Sequence, residues 1–220
     1  MKIYDLSSRI EESLWYYGEP YVRYSTSELA NLKQHGYIAN AHVLTSHTGT
    51  HIECGKHWSE DGESADEIAL EKCVGNAKVF QFPCNGQPFY GIDRDMLIAV
   101  GGDALQENDI CILATGWDEK ISKPAYVSEN PFITVDAASF LAEKKVKLIG
   151  MDSPLLSDPR DGVETVQEDA QLPDYILAEN KIPCVLGLVG LRELPKEVFF
   201  MAMPLKLKGA DGSPIRAAAI

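Results

Sequence analysis

The chain has 220 residues, with 45% hydrophobic and 24% charged side chains, ordinary proportions for a globular protein, and a formal net charge of −13. That acidity argues against nucleic acid as a partner, because phosphate contacts need lysine and arginine, and it disfavours an anionic membrane surface. No apolar run reaches the roughly 18 residues of a membrane span, and MKIYDLSSRI has no apolar stretch after its lysine, so a cytoplasmic protein without a leader is expected.

The length suits one domain, taken as residues 1–220. In chain order, Ser25–Gln34 (STSELANLKQ) opens with a Ser/Thr cap signal and predicts a helix. Ala77–Phe82, Asp109–Ala114, Val146–Met151 and Cys184–Val189 are short apolar runs that predict strands, the middle ones buried on both faces. Asp136–Lys145 begins acidic and ends basic, matching a helix dipole, and Asp174–Glu179 predicts a short helix before Lys181–Pro183. Strands outnumber helices, which gives a mixed α/β fold rather than a simple doubly wound sheet. Five cysteines at wide spacing, with no CxxC, predict free thiols, and Cys54 is expected to fill space rather than bind a ligand.

The chemistry concentrates in Ser46–Trp58, SHTGTHIECGKHW, which holds three of the five histidines. His47 and His51 lie four apart, Glu53 follows His51 by two, and His57 follows Glu53 by four. Two neutral imidazoles and a carboxylate form a ligand set for zinc, manganese or iron. The glycine between the histidines argues against a helix. On an extended strand His51 and Glu53 share a face, and a bend at Gly49 lets His47 join them. The alternative is a histidine-rich surface loop with no metal.

This segment resembles the signature of the cyclase, or kynurenine-formamidase-like, family of metal-dependent hydrolases, in which His-x-Gly-Thr-His is followed by x-acid-x-x-x-His. The family includes arylformamidases and isatin hydrolase. The likeness extends over nearly the whole chain: IYDLSSRIEESLWYYGEP at the start, TGWDEK at Thr115–Lys120, LIGMDSPLLSD at Leu148–Asp158 and PLKLKGADGSPIRAAA at the end. It implies a swivelling β/β/α domain with a mixed sheet and few helices, found as a homodimer or higher homo-oligomer. Residue by residue, it implies that His47, His51 and Glu53 are metal ligands and that His57 is a general acid/base. Tyr16 falls at a substrate-contacting aromatic position, and Trp15 and Trp58 could extend that wall or simply pack in the core.

The sequence also departs from the family pattern. Glu53 is one methylene longer than the usual Asp. Gly55 replaces a proline, which is expected to loosen the loop holding His57. The family's second-metal His and Glu, twelve residues apart, align with Asp174 and Leu186, and no histidine follows His57. Asp174 can still ligate a metal, whereas Leu186 cannot. The expectation is one divalent ion, zinc or manganese, and a metal-activated water attacking a small amide, formamide, lactam or lactone. The alternative is a diverged member that binds a metabolite or catalyses isomerisation or dehydration. Asp152, at the end of a buried strand, is a lesser candidate for lining the site. Arg160 and Arg216 read chiefly as ion-pair partners. The acidic stretch Glu164–Asp169 reads as a solvated loop or helix face.

Overall fold

The computed structural model describes residues 1–161 and 172–220, so the acidic stretch Glu164–Asp169 lies outside the described residues. Its strands are β1 (Tyr4–Asp5), β2 (Ser25–Ala30), β3 (Ala39–Val43), β4 (His51–Glu53), β5 (Val74–Gln81), β6 (Gly91–Ile92), β7 (Ile110–Ala114), β8 (Phe132–Ile133), β9 (Leu148–Met151), β10 (Cys184–Leu186), β11 (Glu197–Met201), β12 (Gly212–Pro214) and β13 (Ala218–Ala219). The α-helices are α1 (Leu32–His35), α2 (Leu70–Cys73), α3 (Arg94–Ala99), α4 (Ala125–Ser128), α5 (Val135–Glu143) and α6 (Pro173–Glu179).

Nine strands form one mixed sheet in the order β1-β13-β11-β5-β7-β9-β10-β4-β12. Its centre, β5-β7-β9-β10, is parallel, and antiparallel strands extend it on both sides. Strand β7 reads ICILA and is buried along its whole length, as a strand covered on both faces must be. Alternation divides its side chains between two cores. Ile110, Ile112 and Ala114 pack with Leu6, Ile52, Val79, Val185 and Phe200 on one face. Cys111 and Leu113 pack on the other with Phe80 of β5, Phe82 just beyond it, Leu97 of α3, Phe140 and Leu141 of α5 and Leu177 of α6. Each large aliphatic side chain fully buried there contributes about 1.5–3 kcal/mol relative to exposure. This is the mixed α/β architecture expected, with many strands and few helices.

The predicted helix over Ser25–Gln34 is corrected. Residues 25–30 form β2, paired with β3 in a separate two-stranded ribbon, and only Leu32–His35 is helical. Leu29 and Leu32 are three apart but both are exposed, and no further large apolar residue in Ser25–Gln34 extends the pair into a stripe that a longer helix could bury. The cap belongs to Asn31, whose side chain accepts from Gln34 N at 3.0 Å. Among the described residues, no helix is long and apolar enough to cross a membrane. The five cysteines are free and buried.

Candidate metal centre

Strand β4 lies between β10 and β12, antiparallel to both. Alternation along its three residues turns Ile52 into one core and leaves buried His51 and Glu53 on the opposite face. The register places Leu186 opposite His51 and Cys184 opposite Glu53, so these apolar side chains share the ligand face. His47 joins that face because the chain turns at Gly49, whose φ of +67° is a left-handed value that favours glycine. A β-carbon at Gly49 would also stand 3.0 Å from Ser8 Oγ.

The donor atoms of His47, His51 and Glu53 converge within 4.8 Å of one another. Glu53 Oε1 lies 3.1 Å from His47 Nδ1 and 3.4 Å from His51 Nε2. His51 Nδ1 donates to the Gly49 carbonyl at 2.8 Å, which leaves Nε2 as its free donor atom toward Glu53. Burial lowers the pKa of His51 and favours the neutral form that binds metal. Burial alone would raise Glu53, but its contacts with the two imidazoles, the hydrogen bond from His47 first among them, win and hold it well below the ordinary carboxylate range. For His47, burial pulls down while hydrogen bonds to Asp211 and Glu53 pull up, and the ring ends at about 9. Two imidazoles and an ionised carboxylate, buried and aimed at one another, fit a divalent cation.

His57 closes the 3₁₀ turn Gly55–His57 directly after β4. The loop is not loosened by the glycine at 55. Gly62 crosses Gly55 so closely that a β-carbon on Gly62 would stand 2.1 Å from the Gly55 carbonyl carbon, and Lys56 N donates to Glu63 O at 3.0 Å. His57 meets Trp58 edge-on at 4.8 Å, and the Trp58 ring in turn meets Tyr175 of α6. Both His47 and His57 reach Asp211, a residue that sequence reasoning passed over. Asp211 immediately precedes β12, and its position within the tail motif GADGSP was the only signal available for it.

Asp174 is buried on α6, and its carboxyl is bonded by Ser157 Oγ. Burial, reinforced by the charge of Glu53, pushes it up to about 7. Among the described residues it is not one of the donors gathered around His47, His51 and Glu53. Of the expected aromatics, Tyr16 and Trp15 line a narrow cleft with His47, with Tyr16 stacked on Arg23 at 3.8 Å. Trp15 packs on Tyr17 and Tyr126, and its indole N–H is buried without a hydrogen-bond partner. Two tyrosines that the sequence reading did not single out come nearer the imidazoles: Tyr21 meets His47 edge-on at 5.8 Å and Tyr17 meets His51 at 6.4 Å.

The remaining candidates have structural roles. Cys54 turns its thiol to the Asp211 carbonyl, and burial pushes it up to about 12. Asp152 is fully buried, accepting from Thr115 N, Thr115 Oγ1 and Gly116 N, so it ties β9 to the end of β7. Arg160 pairs with Asp158 and Arg216 with Asp5. The larger cavity, about 500 Å³, opens at the amino ends of β7, β9 and β10 among Lys72, Lys145, Lys147 and Lys181. No residue of the metal centre lines it.

A buried His-His-Glu cluster on the edge-side strand of a curled mixed sheet defines a metal-site protein of α/β class. The model of the family described as "Putative cyclase" matches residues 4–156, and the chain belongs to that family. It is 29% identical to a kynurenine formamidase of Geobacillus thermodenitrificans, over 97% of this chain and 95% of that protein. An isatin hydrolase bound to the product analogue thioisatinate superposes with a TM-score of 0.90 at 19% identity, covering 99% of this chain and 91% of its own. A predicted metal-dependent hydrolase from Bacillus stearothermophilus superposes at 0.75 with 27% identity, covering 99% and 97%.

Proposed function

We propose that the protein is a metal-dependent hydrolase of small carbonyl compounds, cleaving the C–N bond of a formamide, amide or lactam, or the C–O bond of a lactone. The observation that carries this reading is the convergence of His47, His51 and Glu53 within 4.8 Å. The hydrolase relatives, aligned over nearly the whole chain, support it and the reading of residues 1–220 as one catalytic domain. One divalent ion, zinc or manganese, is held by those three side chains. Bound there, such an ion polarises a carbonyl and brings a water toward hydroxide near neutral pH.

The remaining work falls to this chain's own groups. His57, beside the cluster but only partly buried, takes a proton from the attacking water and returns one to the leaving nitrogen, a contribution of about 10²–10⁴-fold. Tyr16, Trp15, Tyr17 and Tyr21 form an aromatic wall on the His47 side, and Trp58 stands beside His57. The buried indole N–H of Trp15 is a donor with no protein acceptor to give up when a substrate oxygen arrives. The cleft among these rings holds about 10 Å³, room for roughly one water, so the Leu14–Tyr24 segment must give way to admit a ring.

Leu186 beside His51 supports a single ion, because an apolar side chain stands where a second ligand would be required. The same leucine favours the second reading, a diverged member that keeps metal but not hydrolysis. The protein acts as a homodimer or higher oligomer. The ribbon of β2 and β3 supports this: it stands off the main sheet with Leu29, Tyr37, Ile38 and Val43 exposed, a surface a second copy can cover. The test is elemental analysis together with a screen of N-formyl aromatics, isatin-like lactams and lactones. One ion per chain with turnover of any of these supports the hydrolase. One ion with no turnover supports the diverged reading, and no ion sinks both.

A further inference from the structure

Asp211 meets the cluster from the opposite side to Glu53. Its Oδ2 is 2.7 Å from His47 Nε2 and 3.1 Å from His57 Nδ1, while its Oδ1 accepts from Ser46 Oγ at 2.7 Å. The backbone holds it as firmly. The pairing of β12 with β4 sets Gly212 opposite Glu53, so Asp211 falls opposite Cys54, whose N–H donates to the Asp211 carbonyl at 3.2 Å. That is the point where the turn carrying His57 begins. The rings of His47 and His57 lie 4.3 Å apart, with one carboxylate oxygen shared between them.

We propose that Asp211 is the positioning residue of this centre, a single carboxylate tether that orients both the imidazole facing the ion and the imidazole that moves the proton. The inference rests on the metal-dependent reading above. A bond from His47 Nε2–H to Asp211 leaves Nδ1 facing Glu53 and His51, the arrangement in which an outer carboxylate fixes the tautomer of a ligating histidine. A bond from His57 Nδ1–H to the same oxygen leaves its Nε2 free for the substrate side, as an aspartate does for the general base of a hydrolytic triad. The competing assignment makes His47, His57 and Asp211 a second cation triad, since their donor atoms also gather within 4.8 Å. It requires His47 to bind one ion through each ring nitrogen, and the tether requires only hydrogen bonds of ordinary length.

The experiment compares wild type with Asp211→Asn and Ser46→Ala, the second removing only the bond that steadies Asp211. In metal-free protein, ¹⁵N-resolved NMR of the imidazoles is expected to show His57 as one Nδ1–H tautomer in wild type and a mixture in Asp211→Asn. With zinc, competition against a chelator is expected to show one ion per chain in both proteins and an affinity about 10–100-fold weaker in Asp211→Asn, with a smaller loss in Ser46→Ala. Unchanged tautomer and affinity in Asp211→Asn overturn the proposal. So does a wild type holding two ions of which Asp211→Asn loses one, because Asp211 is then a ligand. If Asp211→Asn does not fold, a Ser46→Ala protein identical to wild type in both measurements overturns it. A wild type that binds no zinc but shows the pinned His57 tautomer retires the metal reading and leaves the hydrogen-bond tether standing.

Discussion

Two stretches of the same sheet face behave in opposite ways. On β4, His51 and Glu53 present buried donors, and the turn at Gly49 adds His47. One strand away on β10, the facing positions are Leu186 and Cys184, and the acid on α6, Asp174, is bonded to Ser157 rather than gathered into the cluster. Register and burial are shared, so the contrast comes from side-chain chemistry alone. A polar cluster can be held by one strand while its neighbour closes into hydrophobic core, because each strand's alternation is set separately and only the register joins them.

The contrast breaks most sharply at the polar half. His51→Ala or Glu53→Ala should abolish metal retention and lower kcat/KM by at least about 10³-fold, or ~4 kcal/mol of transition-state stabilisation. Elemental analysis and steady-state kinetics check this. His57→Ala should cost about 10²–10⁴-fold in kcat with metal content unchanged, and loss of the ion in that variant would make His57 a ligand.

At the apolar half, Leu186→Glu with Asp174→His should raise occupancy toward two ions per chain. In the metal-free state the same double variant should melt lower, because it buries a carboxylate with no partner, at a cost of several kcal/mol. Zinc titration followed by thermal melts separates the two effects. If occupancy does not rise, the pairing of α6 and β10 with a second site is wrong.

A subtler difference appears with pH. His47 is raised from 6.5 to about 9, so in the metal-free protein its contribution to stability is fully present below pH 6.5 and is lost as pH rises through about 9. Metal affinity runs the other way. The ion must displace a proton from His47, so binding should tighten as pH climbs from 7 toward 9. Melting temperature and zinc affinity measured across that range should cross. The smallest effects belong to the exposed ion pairs: Arg160→Ala and Arg216→Ala should leave metal content and kcat/KM within about twofold of wild type.

The polar half was legible because its residues are contiguous. Alternation on a short strand puts His51 and Glu53 together, and a glycine where the chain must bend brings in His47. The central strands were legible from apolar runs, with Ile110–Ala114 found within the predicted Asp109–Ala114. The β2 ribbon was not, because its Ser and Thr residues carry a helix-cap signal that belonged to Asn31. Asp211 could not be read either. It stands more than 150 residues from its histidine partners, and only the antiparallel pairing of β12 on β4 brings them together. Tyr17 and Tyr21 are two among nine tyrosines, and nothing in their spacing says which ring will face an imidazole.

The crossing of Gly62 over Gly55 ties the placement of the His57 ring to a residue outside the His47, His51 and Glu53 cluster. With no room for even one methyl group at 62, the segment Ser59–Glu63 acts as a buckle rather than a tether. A substitution there should leave the donors of His47, His51 and Glu53 in place and displace His57, so that on the proposed reading metal content is kept while turnover is lost.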